Sequence, residues 1–153
     1  MNFLLSNQAS RRQAAYATAL LRISLGLMLL AHSVILKFHT YTLTGTAAYF
    51  ESIGFPAALA YIVFAIEAAA GLALVLGVGT RVAALAVLPV LAGALWVHLG
   101  NGWVFSEPNG GWEYPLYLLV LTVAQFILGS GALALGSAAK SMRNPEFAEP
   151  IAG

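Results

Sequence analysis

The sequence predicts an all-α integral membrane protein: a four-helix bundle with both termini cytoplasmic and a short interfacial helix between the first two spans. Three observations carry this reading. Of the 153 residues, 60% are hydrophobic and 8% charged. Four apolar stretches each run about 20 residues, the length at which a helix rising about 1.5 Å per residue crosses a hydrocarbon core of about 30 Å. The basic residues Arg11, Arg12, Arg81, Lys140 and Arg143 fall on one side of a four-span arrangement and only Lys37 near the other. The positive-inside rule makes the basic side cytoplasmic.

Residues 1–15 read as a polar cytoplasmic lead, and residues 16–136 as the membrane domain. Span one runs from Tyr16 to Leu36. It holds Arg22, is followed by Lys37 and offers no small-x-small cleavage site, so it reads as a retained span rather than a signal peptide. Behind Thr44 and Thr46, which can cap, Ala47, Phe50, Ile53 and Gly54 recur at helical spacing in a segment too short to cross. Pro56 suits the first turn of span two, Ala57 to Val78, where a missing N–H costs nothing. Gly77-Val78-Gly79-Thr80 is a tight link that makes spans two and three antiparallel neighbours. Span three, Val82 to Leu99, contains Pro89, which removes a helix hydrogen bond to Leu85 and predicts a kink. The turn-rich loop from Gly100 to Glu113 carries Trp103 and Trp112 at headgroup level. Span four runs from Tyr114 to Leu135, and residues 137–153, with Pro145 and Pro150, read as a cytoplasmic tail.

Composition excludes several function classes. With no cysteine the chain has no disulfide or thiol redox chemistry of its own. No phosphate loop, nucleophile elbow or paired metal-binding histidines on one helix occur, and no haem, flavin or metal site is evident. The aromatic residues lack a basic patch, so nucleic acid is not an expected partner.

Function is expected where ionisable groups lie inside the membrane, because the bilayer core offers an isolated charge no partner. Counting 1.5 Å per residue from the cytoplasmic end puts Arg22 at roughly 9 Å, Glu67 at roughly 16 Å, and His32 and His98 both at roughly 24 Å. Arg22 and Glu67 are within side-chain reach of each other, as an intramembrane charge pair or a proton relay. A paired Glu67 stays ionised; an isolated one takes a proton. His32 and His98 form an upper layer, joined by Glu113 and by Tyr114, which shares a face of span four with Leu118, Leu121 and Gln125. Two imidazoles beside a carboxylate suit a quinone carbonyl first, proton transfer second and a metal third. Lys37 reads as an interfacial residue that snorkels.

The ordered set Leu21-Arg22, Gly26, His32, Lys37, Tyr49-Phe50, Gly54, Pro56, Glu67, Gly71, Gly79-Thr80-Arg81, His98, Asn101-Gly102-Trp103, Gly110-Gly111-Trp112-Glu113-Tyr114 and Gly129-Ser130-Gly131 resembles the DoxX family of membrane proteins. The resemblance covers nearly all of Leu20 to Leu135, with Ser33 standing where a glycine is expected. It implies a four-helix bacterial inner-membrane protein related to subunits of quinone-linked oxidoreductases such as thiosulfate:quinone oxidoreductase. The expectation is a quinone- or quinol-binding subunit in which His32 and His98 bind the ring oxygens, Glu113 and Tyr114 complete the site, and a redox partner protein or a second copy accompanies it. A non-catalytic scaffold or small-molecule permease is the alternative.

Overall fold

The computed structural model describes residues 9–136, so the tail and most of the lead lie outside the described residues. Helix α1 spans Arg11–Leu30. Ser10 caps it with a reciprocal box: its hydroxyl accepts from Gln13 N at 3.2 Å, and the Gln13 side chain accepts from Ser10 N at 2.8 Å. The helix therefore begins inside the stretch expected to be a polar lead.

Ala31–Thr40 continues the same rod as a π-helix. Here side-chain hydroxyls compete for backbone carbonyls. Ser33 Oγ donates to Leu29 O at 2.8 Å, the carbonyl that α winding would give to the Ser33 N–H, and Thr40 Oγ1 donates to Ile35 O at 2.9 Å. The Tyr41 N–H closes the segment on Leu36 O, five residues back, at 2.8 Å.

Helix α2, Leu43–Ser52, is the expected short helix, capped by Thr42 rather than by Thr44 or Thr46. Helix α3, Ala57–Leu76, starts after Pro56 and ends at Gly77, whose φ of 71° sets a left-handed C-cap with Val78 N donating to Ala73 O at 3.0 Å. Helix α4, Thr80–His98, stays continuous through Pro89, and a 3₁₀ turn, Leu99–Asn101, follows.

Helix α5 is Glu113–Leu128, seven residues shorter at its C-terminal end than the sequence suggests. Gly129, with φ 82°, stops it, and residues 129–134 run irregularly back across α1, where Ala132 N donates to Ala15 O at 2.9 Å. Among the described residues no strand occurs, and three rods are long and apolar enough to cross a membrane: Arg11–Thr40, Ala57–Leu76 and Thr80–Asn101. Helix α5 is a shorter apolar helix.

α1 packs on α3, α3 on α4, α4 on α5 and α5 on α1, so these helices close into a ring, with α2 laid against α3. Leu25, Leu29, Leu74, Val87, Leu91 and Leu118 fill its interior. The α1–α3 crossing is the tightest place: a Cβ built on Gly26 would lie 2.7 Å from Gly71 O, and one on Gly71 3.0 Å from Gly26 O. Small residues are what let two helix backbones meet this closely.

Candidate functional site

Arg22 and Glu67, expected to pair, do not. The Arg22 side chain is fully buried and spends every N–H on a backbone carbonyl. Nε donates to Ser130 O, Nη1 to Leu74 O and Val75 O, and Nη2 to Ala132 O and Leu133 O. A guanidinium has five donors, and five carbonyls meet them. Two of these belong to the last turn of α3, which carries the negative end of the helix dipole; Leu74 O also accepts from Gly77 N at 3.2 Å. The other three belong to the irregular segment after α5, whose carbonyls lack a ladder of their own. Irregular backbone inside an apolar bundle needs such partners, and Arg22 supplies them. It is the clasp that joins α1, the end of α3 and the chain beyond α5.

Glu67, 6% exposed, instead accepts from Lys37 Nζ at 2.7 Å, the one ion pair among the described residues. Lys37 does not snorkel outward but turns inward toward α3. One turn earlier on the same helix, His32 stacks on Tyr114, with ring centroids 5.7 Å apart and planes 21° from parallel. The Tyr114 hydroxyl lies 3.3 Å from His32 Nε2; it donates when that nitrogen is bare and accepts when it carries a proton. Both rings are half-buried. The π-helix thus makes two polar contacts about one turn apart, Lys37 with Glu67 of α3 and His32 with Tyr114 of α5.

His98 and Glu113 are placed differently. His98 Nδ1 lies 2.7 Å from Ala94 O on its own helix; a carbonyl only accepts, so Nδ1 carries a proton and Nε2 is the ring's remaining polar atom. The ring lies beside Gly110. Glu113 accepts from Phe105 N at 3.4 Å. Asn101 Nδ2 donates to Asn109 O and Gly110 O, Trp112 N donates to Gly102 O, and Trp103 stacks edge-on against Trp112 with centroids 4.4 Å apart. These groups fold the loop between α4 and α5 on itself. Among the described residues no hydrogen bond joins His98 or Glu113 to His32, and no three His, Asp or Glu side chains gather as a metal-binding set.

The DoxX family profile matches residues 17–100, more than half of the chain. A Bacillus subtilis (strain 168) protein named "Putative oxidoreductase CatD" is 32% identical over 119 residues, 77% of this chain and 83% of the relative. The chain belongs to the DoxX family. No solved structure matches it. The match and the apolar helices make this a multi-pass membrane protein in contact with the lipid bilayer.

In this DoxX chain, sequence reasoning places His32, Tyr114 and Glu67 inside the bundle but misses Lys37 as the partner of Glu67. The signal available is helical spacing: Lys37 lies eleven residues after Gly26, about 20° around the wheel from the face that meets α3. Arg22 was found as a buried cation; the unladdered glycine-rich end, Gly129-Ser130-Gly131, was the clue to its true partners.

Proposed function

We propose that this DoxX protein is a four-span bacterial inner-membrane subunit, both termini cytoplasmic, that binds quinone or quinol at the His32–Tyr114 cluster and supports electron transfer by a redox partner protein. The observation that carries the reading is the imidazole and the phenol held 3.3 Å apart on facing helices. A quinone carbonyl takes a hydrogen bond from the Tyr114 hydroxyl or a protonated His32 nitrogen, and a quinol hydroxyl gives one to the bare nitrogen. The same two atoms therefore serve both redox states of the ring.

Oxidation of a quinol releases two electrons and two protons. The electrons go to the carrier of the partner, since His32, Tyr114, Lys37 and Glu67 are proton-handling and not electron-carrying groups. The name of the Bacillus relative supports an oxidoreductase setting. Arg11, Arg12 and Arg81 lie at the end of the bundle opposite the π-helix, which supports a cytoplasmic location for that end and an outer location for the cluster.

Extraction of the protein, purified from its native membrane in mild detergent, with organic solvent tests the proposal. Mass spectrometry is expected to find a quinone in near-stoichiometric amount. A lipid extract free of quinone, together with a co-purifying protein, would support the scaffold reading instead.

A further inference from the structure

We infer that the Lys37–Glu67 pair is a water site open to one end of the bundle only: a water seated there donates to Glu67 Oε1, accepts from a Lys37 hydrogen, and arrives from the end that carries α2. Protons at this pair exchange with that side of the membrane and not with the other. The inference is independent of what the His32–Tyr114 contact binds.

Glu67 stands at the middle of α3, about 14 Å from either end, and is 6% exposed. Its Oε2 takes the Lys37 ammonium, while Oε1 accepts no hydrogen bond from any described residue. Lys37 in turn spends only one of its ammonium hydrogens. Among the described residues Gln125 Oε1 is the one side-chain polar atom that is both enclosed and without a partner. Glu67 Oε1, equally without a partner, therefore opens on accessible space, as does the Lys37 side chain, which is 17% exposed. Hydrocarbon in that space would leave the charge of the oxygen unmet. Water fits, because it donates to the carboxylate and accepts from the ammonium at once.

The space is closed on two sides. Toward the Arg11 end of the bundle, Leu25, Leu29, Ala70, Leu74, Val87 and Leu118 pack as one cluster, each 9% exposed or less. Beyond them Arg22 and Gln125 are fully buried, and the enclosed Gln125 Oε1 is dry. Toward lipid, Phe38 stacks on Phe64 with ring centroids 6.1 Å apart. Phe38 follows Lys37 and Phe64 lies about one turn before Glu67, so these rings bridge the same two helices beside the ion pair, and Phe38, 57% exposed, forms the lipid-facing surface of that seam. The remaining approach leads past the end of the π-helix. There the chain is polar and open: His39, Thr40, Tyr41 and Thr42 are exposed, and Thr46 of α2 donates to Lys37 O at 3.2 Å. Water therefore enters from the α2 end.

Hydrogen exchange with the pair intact is the first test. Lys37 and Lys140 are the only lysines, so nitrogen-15 lysine labelling of the Lys140→Arg chain shows Lys37 alone. On transfer to deuterated water in detergent, the Lys37 hydrogens are expected to be at least about a hundredfold less protected than the Arg22 Nε–H, each measured against its free amino acid. Comparable protection of the two overturns the inference. The side of entry is read by labelling single cysteines, since the chain has none of its own. Spheroplasts and inverted membrane vesicles are treated with a charged, membrane-impermeant methanethiosulfonate. Tyr41→Cys marks the α2 end, Val78→Cys marks the other, and Leu27→Cys, which faces lipid, is the unreactive control. Lys37→Cys and Glu67→Cys are expected to react in the preparation that labels Tyr41→Cys and to stay unlabelled in the one that labels Val78→Cys. Reaction from the Val78 side, or reaction of neither from the Tyr41 side, overturns one-sided access. Should one of these variants fail to fold, the other decides, and if both fail, the exchange of Lys37 in the intact pair does.

Discussion

The Lys37 ammonium lies 2.7 Å from the Glu67 carboxylate and joins the π-helix to the middle of α3, while Arg22, fifteen residues earlier on the same rod, binds backbone carbonyls alone. The two buried cations of the first rod therefore do different work, one with a carboxylate and one with backbone, and each assignment has a measurable consequence.

A thermal-unfolding double-mutant cycle separates them. Lys37→Met and Glu67→Gln are expected to couple by more than about 1 kcal/mol, since contacting groups are non-additive, while Arg22→Gln and Glu67→Gln are expected to add within about 0.5 kcal/mol. Coupling of the second kind and not the first would restore the Arg22–Glu67 pair.

Arg22→Lys is expected to destabilise the protein by about 3 kcal/mol or more, because three donors on a point charge cannot meet five carbonyls spread over two chain segments. The measurable mark is selective: amide hydrogen exchange at Ala132 should rise by at least about tenfold, while α4 amides change little.

The glycines of the bundle are not equivalent. Gly26→Ala is expected to cost about 1–3 kcal/mol, since its Cβ would meet the Gly71 carbonyl and the Val75 amide, which are backbone and cannot step aside. Gly93→Ala meets nothing within 4 Å and should be neutral or stabilising by up to about 1 kcal/mol through helix propensity. Parallel melting curves of the two variants give the sign directly.

Most of the fold could be read from the chain because hydropathy, Gly and Pro act locally. Pro56, Gly77 and Gly79 mark the ends of α3 and the start of α4 to within two residues. The end of α5 was read seven residues too far because Ala132 to Leu135 are apolar; hydropathy does not reveal that Gly129 breaks the helix or that Arg22 can feed the irregular carbonyls beyond it. Counting residues along each span groups His32 with His98, but rotation about each axis is not legible: His98 is held by Ala94 O of its own helix, His32 meets Tyr114, and Lys37 turns inward to Glu67.

The loop between α4 and α5 offers a separate check. Asn101→Ala removes two hydrogen bonds, to Asn109 O and Gly110 O, and is expected to loosen the Trp103–Trp112 contact. Tryptophan fluorescence should shift in wavelength by several nanometres while quinone affinity changes less than about threefold, since the loop stands outside the His32–Tyr114 cluster.

Titration of a short-tailed quinone into detergent-solubilised protein, comparing the parent chain with His32→Ala, Tyr114→Phe and His98→Ala, is the most direct test of the site. Affinity is expected to fall at least tenfold in His32→Ala and severalfold in Tyr114→Phe, and to change less than threefold in His98→Ala, with all variants melting as folded proteins. Undiminished binding in both His32→Ala and Tyr114→Phe would contradict a quinone site at this cluster.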